Sequence, residues 1–226
     1  MNFNKELSDK IYQMYYAEKI GNNSMCKICK KNAVAKGKEL NNGPVPIFHV
    51  GKDFDNSNKK LLLIGRVAYG WSGELNHLWK KTFEENDKYL YDIQSVVENR
   101  SKELFYEGIT KYFKFIKYAL TEIYGNIDNA FNNIAITNYV HCNTGSKRDD
   151  IPQIVRNYCS NKELNGFIHK EIEILKPTHI IILTKEWKYL RYTINQKWNI
   201  KPIEHPSSPG RIKTEFRNDI LEFLNK

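Results

Sequence analysis

Two side chains in this sequence are of the kind that recognise a heterocycle and take up charge from it. Asn138 stands in Thr137-Asn138-Tyr-Val-His-Cys142, directly after an apolar run. One amide can donate to a carbonyl and accept from a ring N–H at the same time. His205 stands in Glu204-His205-Pro-Ser-Ser-Pro-Gly-Arg211, and an imidazole can stabilise negative charge that develops on a nearby oxygen. Presented from separate strand ends, the pair can read a base and stabilise charge leaving on it. Each also has an ordinary reading: a strand-end Asn capping a turn, and a surface His beside a proline. A third loop, Gly65-Arg-Val-Ala-Tyr-Gly-Trp-Ser-Gly-Glu74, carries three glycines, which permit tight turns and close approach of backbone to a ligand. It is not a phosphate loop, because both the G-K-[ST] ending and the G-x-G-x-x-G spacing are missing.

The cysteines form a second group. Cys26 and Cys29 make a C-x-x-C, with Cys142 and Cys159 far downstream. A cytosolic chain does not use such thiols as disulfides. Four thiols with one close pair suit a zinc ion or an iron–sulfur cluster, and four unrelated thiols in the core are the plain alternative. The formal net charge of +9 fits a polyanionic partner, nucleic acid first. Lys and Asn are abundant throughout, however, and no block of like charge marks a dedicated arm.

These loops need a scaffold to position them. At 226 residues the chain suits one domain with a single core. No apolar run is long enough for a membrane span, and the opening MNFNKELSDK lacks the pattern of a secretion signal. The expectation is a cytoplasmic protein, monomeric by default. Leu7, Ile11, Met14, Tyr15 and Ile20 follow helical spacing within residues 4–20, and the C-x-x-C after them is read as irregular chain. Pro46 to Val50 suits a short strand. Lys60 to Ile64, Asn133 to Asn138 and His179 to Leu183 are continuous apolar runs without alternation, as strands buried on both faces require. After Leu183 another helix, a short strand near Ile200 to Ile203 and a helix from about 213 complete the chain. Between the first two buried strands the pattern is helical, with Ile109, Tyr112, Phe113, Ile116, Ala119, Leu120 and Ile123 on one face. Two more helices are read from 150 to 175.

Strands alternating with helices imply an α/β fold with a mostly parallel, four-stranded sheet between two helical layers. Ligands bind such sheets where strands end. That rule nominates the loops after Ile64, Thr137, Leu183 and Ile203, where the unusual residues gather.

Taken together, the glycine-rich loop, an I-T-N followed by V-x-C, and a late H-P-S loop resemble the three signature motifs of the uracil-DNA glycosylase superfamily. The segment F-I-x-x-E-I-E-I-L-K-P-T-H-I-I-I-L, ending at Leu183, resembles its helix-then-strand unit. The match covers about residues 60 to 210. The four cysteines fall in the order seen in the bacterial iron–sulfur branch, apart from a long interval between Cys29 and Cys142. The resemblance implies one domain over 1–226, with a helix and Cys-bearing segment at 1–45 and a helical insertion at about 80–128. It also implies a 4Fe–4S cluster on Cys26, Cys29, Cys142 and Cys159, with zinc or an empty site as the alternatives.

The implied activity is that of a DNA glycosylase, which extrudes a nucleotide from the stack and cuts its N-glycosidic bond. Asn138 would read the base and His205 would stabilise the charge on it. Trp79 is implied as a stacking aromatic, with core packing as its alternative. Ser207, Ser208 and Arg211 would meet DNA in the minor groove, with Arg211 filling the gap or binding phosphate. Gly65, Arg66, Val67 and Tyr69 would line the base, Tyr69 as the wall that excludes a 5-methyl group. In the first motif the resemblance departs: Arg66, Val67 and Ala68 replace the polar residue that handles water in many relatives. Either leaving-group stabilisation carries the reaction or Glu74 takes over the water. That departure admits two further readings, an antiphage glycosylase for bulky modified cytosines and a non-catalytic DNA-binding member. A zinc-stabilised protein without glycosylase chemistry is a more distant one.

Overall fold

The apolar run Leu61 to Ile64 lies fully buried at the middle of a sheet, inside the strand Leu61–Val67 (β2). The computed structural model describes residues 3–35, 44–67, 74–85, 87–142, 159, 166–183 and 198–226. On one side β2 pairs in parallel with Ile134–Val140 (β3), in a register that sets Ile64 beside Thr137 and Gly65 beside Asn138. On its other side lies His179–Ile182 (β4), also parallel, and then Asn199–Pro202 (β5). A side chain on either face of β2 meets protein, and this accounts for its unbroken Leu and Ile.

The expected four strands are therefore present, but the sheet has five. His49–Val50 (β1) pairs antiparallel with β3 and completes the order β1-β3-β2-β4-β5. The extra strand has a physical reason. Without it, the outer edge of β3 would present unpaired backbone groups to solvent. The amides of Phe48 and Gly51 donate to Ile136 and Ile134 at 2.9 and 2.8 Å. Gly51 is required there, since a Cβ would sit 2.3 Å from the Asn132 carbonyl oxygen.

Eight α-helices are found among the described residues. Lys5–Ala17 (α1) is capped by the Asn4 side chain on the Leu7 amide, and buries Leu7, Ile11, Tyr12 and Tyr15. Ser24–Val34 (α2) contains the C-x-x-C, which corrects the expectation of irregular chain. The local reason is Asn23, whose side-chain oxygen accepts from the Cys26 amide at 2.8 Å, the contact that starts a helix.

Four helices stand between β2 and β3: Glu74–Glu84 (α3), Leu90–Glu107 (α4), Lys111–Tyr124 (α5) and Ile127–Asn133 (α6). The expected apolar face of α5 is present in Phe113, Ile116, Ala119 and Leu120. Ile109 is not part of it; it precedes the helix and is exposed, because the Thr110 cap on the Phe113 amide starts the helix one residue later. Phe167–Leu175 (α7) leads into β4, and Lys213–Leu224 (α8) packs on α5. The other of the two helices expected from 150 to 175, and the helix expected between Leu183 and Ile200, lie outside the described residues. No helix of the described residues is long and apolar enough to cross a membrane.

Candidate active site

Parallel pairing of β2 with β3 places Gly65 and Asn138 side by side near the ends of their strands. The fit is close. A Cβ on Gly65 would lie 2.5 Å from Asn138 Oδ1 and 3.1 Å from the hydroxyl oxygen of Tyr112. Glycine at this position thus leaves the space in which an amide and a phenol come together. Asn138 is half-buried, and Thr137 before it is fully buried.

His205 reaches the same place from the far side of the sheet. After β5 the chain continues its ladder, with Ile203 donating to Ile182 at 3.0 Å, and then turns. The turn closes when the Ser208 amide donates to the His205 carbonyl at 2.9 Å. The His205 ring stacks on Tyr112, with centroids 5.4 Å apart and planes 24° apart. One tyrosine ring thus bridges the two residues that the sequence singled out. The backbone N–H of Ser207 donates to Nδ1 of His205 at 3.1 Å. In the neutral ring the proton must then sit on Nε2, which makes that atom the donor of the ring.

Tyr112 is the participant that sequence reasoning missed as a site residue. Its spacing assigned it to the core face of α5, and its ring does pack there, edge-on to Phe113. Its hydroxyl oxygen, however, is shut off from solvent without a hydrogen-bond partner among the described residues, and burial pushes the phenol well above its ordinary range.

The remaining expected site residues divide. Arg66, next to Gly65 in β2, is half-buried. Val67 ends the strand and Glu74 begins α3, but their side chains lie outside the description, and Tyr69 lies outside the described residues altogether. Ser207 is exposed at the turn, whereas Ser208 is buried and its carbonyl faces the Lys111 ammonium at 3.4 Å.

Two expected site residues are engaged by the protein itself. Trp79 is only 3% exposed, stacks on Phe83 and donates its indole N–H to the Pro44 carbonyl at 2.8 Å. Its polar atom and one face are engaged there, in keeping with the core-packing alternative. Arg211 does not reach outward either. Its guanidinium folds back onto α8, paired with Asp219 and lying 3.6 Å from Glu215, above the ring of Phe216. The acidic residues one and two turns along that helix hold it there.

The four cysteines are drawn towards one locus from distant parts of the chain. Cys26 and Cys29 come from α2, Cys142 from the chain just beyond β3, and Cys159 from the following segment. Each lies within electrostatic reach of others. Burial and the thiols of Cys159 and Cys26 push Cys29 up to about 12. Burial, with Cys26 and Cys29, raises Cys142 further. Backbone N–H groups of Gly21 and His141 donate to the sulfurs of Cys26 and Cys159, the former at 3.2 Å. Three buried thiols and the half-buried Cys26, with N–H donors on two of the four, form a donor set that fits an iron–sulfur cluster or zinc, since a bound cation would remove their protons. As they stand, no three metal-ligating side chains among the described residues converge tightly enough to enclose a single ion.

Beside the thiols is a buried network that the sequence did not signal. The Tyr15 hydroxyl donates to Oε1 of Glu171, which is fully buried, and accepts from the Ile47 amide at 2.9 Å. Nε2 of His141 stands 3.0 Å from the same carboxylate oxygen, close but without hydrogen-bond alignment, and its Nδ1 meets the Val45 carbonyl at 2.9 Å. The network ties α1, α7 and the residue 45–47 segment to the chain leaving β3, four residues or fewer beyond Asn138. No family model matches this chain, and no curated protein matches it significantly.

Proposed function

We propose that this protein is a DNA glycosylase of the uracil-DNA glycosylase type, which extrudes an altered pyrimidine and hydrolyses its bond to the sugar. The observation that carries the reading is the meeting of Asn138 and His205 about one tyrosine ring, where parallel strands end. This is where a doubly wound sheet binds its ligand. The four parallel strands have the switch point between β2 and β4, because the chain leaves β2 in one direction and β4 in the other. Right-handed crossovers would place α3 to α6 and α7 on opposite faces, which supports a three-layer α/β/α sandwich.

The chemistry follows from the groups present. With the base extruded from the stack, Asn138 hydrogen-bonds its Watson–Crick edge. As the bond between the sugar carbon and the ring nitrogen breaks, the electron pair moves onto the base. The N–H on Nε2 of His205 faces the oxygen that takes up this charge and stabilises it without reorganisation. Water then bonds to the sugar carbon through its oxygen, the proton it loses ends on the released base anion, and an abasic site remains. The position before the loop, Val67, supplies no polar atom to activate this water, so leaving-group stabilisation bears most of the work.

Cys26, Cys29, Cys142 and Cys159 are the residues that would hold a 4Fe–4S cluster. When bound it supplies a covalent tie between α2 and the chain just beyond Asn138. The net charge of +9 supports a DNA partner, on which the protein would act as a monomer. Oligonucleotides carrying one uracil, hypoxanthine or glucosylated hydroxymethylcytosine, single- and double-stranded, test the proposal. Release of a base that Asn138→Ala and His205→Ala abolish is expected. Folded protein that leaves every oligonucleotide intact would remove the enzymatic reading.

A further inference from the structure

We infer that Tyr112, from the helical segment between β2 and β3, is a base-recognition residue of the site, acting through its hydroxyl beside the amide of Asn138. The inference rests on the glycosylase reading and adds to it a residue that none of the three motifs contains.

Three observations converge. The Tyr112 hydroxyl oxygen is buried and has no hydrogen-bond partner among the described residues. Such a group normally finds one, since leaving it unpaired forfeits the hydrogen bonds it makes with water in the unfolded chain. It lies against Gly65 at the strand end, sharing with Asn138 Oδ1 the space that the glycine leaves open. Its own ring is held by His205 on one side and Phe113 on another, so the hydroxyl has little freedom to turn elsewhere. A rigid phenol that spans from the imidazole to the amide, with its polar end unsatisfied, is arranged to complete its hydrogen bonding with whatever Asn138 reads. A hydroxyl can donate to a carbonyl or accept from an amino group. It therefore extends the contact along the base edge to the atom next to the one that Asn138 engages. Supplying this reader from a helix outside the sheet lets base choice vary without alteration of the strands.

The test compares Tyr112→Phe with the wild-type chain on the oligonucleotide panel, reading base-release kinetics and melting temperature together. The phenylalanine ring keeps the stack on His205 and removes only the hydroxyl. Expected is a fall of about tenfold in kcat/KM on the preferred base, with less loss on poorer bases, so that selectivity narrows. Melting should stay the same or rise, because an unpaired buried hydroxyl has gone. A merely structural tyrosine would lower all bases equally, or lower stability, and either result overturns the inference. Wild-type protein that releases base while Tyr112→Phe matches it in rate and selectivity overturns the inference alone. Wild-type protein that releases no base overturns the glycosylase reading and this inference with it.

Discussion

Replacing Gly65 with alanine should cripple the site while leaving the fold intact. The added methyl would sit 2.5 Å from Asn138 Oδ1 and 3.1 Å from the Tyr112 hydroxyl oxygen. Comfortable non-bonded separation is about 3.5 Å, so the Asn138 amide must withdraw by about an ångström. β2 cannot move instead, since it is hydrogen-bonded on both sides and fully buried from Leu61 to Ile64. A displacement of about 1 Å in a positioning group is worth on the order of a hundredfold in rate. Stability should change little. An off-rotamer Asn138 costs about 0.5–1.5 kcal/mol, and alanine returns about 0.4–1 kcal/mol by restricting the unfolded chain. The assay pairs the single-turnover rate of base release with thermal melting. A Gly65→Ala protein that melts normally and works within about threefold of wild type would refute the packing argument, and with it the assignment of Asn138 to the site.

Other outcomes are expected elsewhere. Burial lowers His49 from its usual value to about 3, so it stays neutral in the fold while the unfolded chain takes up a proton below about 6.5. Its contribution to stability is complete above that pH and is lost as pH falls towards 3, by at most about 1.4 kcal/mol per unit. His49→Phe should flatten this part of the melting-temperature profile between pH 6.5 and 4, and an unchanged slope would contradict it. Arg211→Ala should lower stability by about 1 kcal/mol, allowing for the exposure of Asp219 and Glu215, and leave DNA affinity unchanged by fluorescence anisotropy; a loss of affinity without loss of stability would restore its groove role. Protein purified without oxygen should be brown, and Cys142→Ser or Cys159→Ser should remove the colour and lower the melting temperature. A colourless wild type that binds no iron or zinc would leave the thiols as core residues.

The three buried strands were legible because a strand covered on both faces needs an unbroken apolar run, and Leu61 to Ile64 and His179 to Ile182 have one. Alternation with helices then sufficed to bring Gly65, Asn138 and His205 to one edge. β1 was visible only as a short strand, because a two-residue edge strand is specified by its partner, and neither His49 nor Val50 says which edge it will cover. The helix bearing Cys26 and Cys29 was hidden by Lys and Asn, since the cap at Asn23 that begins it depends on a single side-chain oxygen. Tyr112 illustrates a different limit. Helical spacing assigns a residue to a face, but it cannot tell that one end of a long side chain passes beyond the core to a strand end belonging to another part of the chain. Trp79 and Arg211 show a related limit: nothing in a motif records that Pro44 or Asp219 engages the polar atoms.

The order of strands has a consequence in time. β2 is the centre of the sheet, yet both its neighbours follow it in the chain, with four helices intervening before β3. At ordinary synthesis rates of about 5–20 residues per second, an unpaired Leu-Leu-Leu-Ile segment waits on the order of seconds for its first partner. Only β1 precedes it, and β1 pairs with β3. The nascent chain therefore exposes its stickiest strand during that interval, and non-local pairing of this kind is slow to complete. Recovery of native protein should depend on how fast the ribosome delivers residues 61 to 140, with slow elongation through this stretch lowering the yield and holdase chaperones raising it.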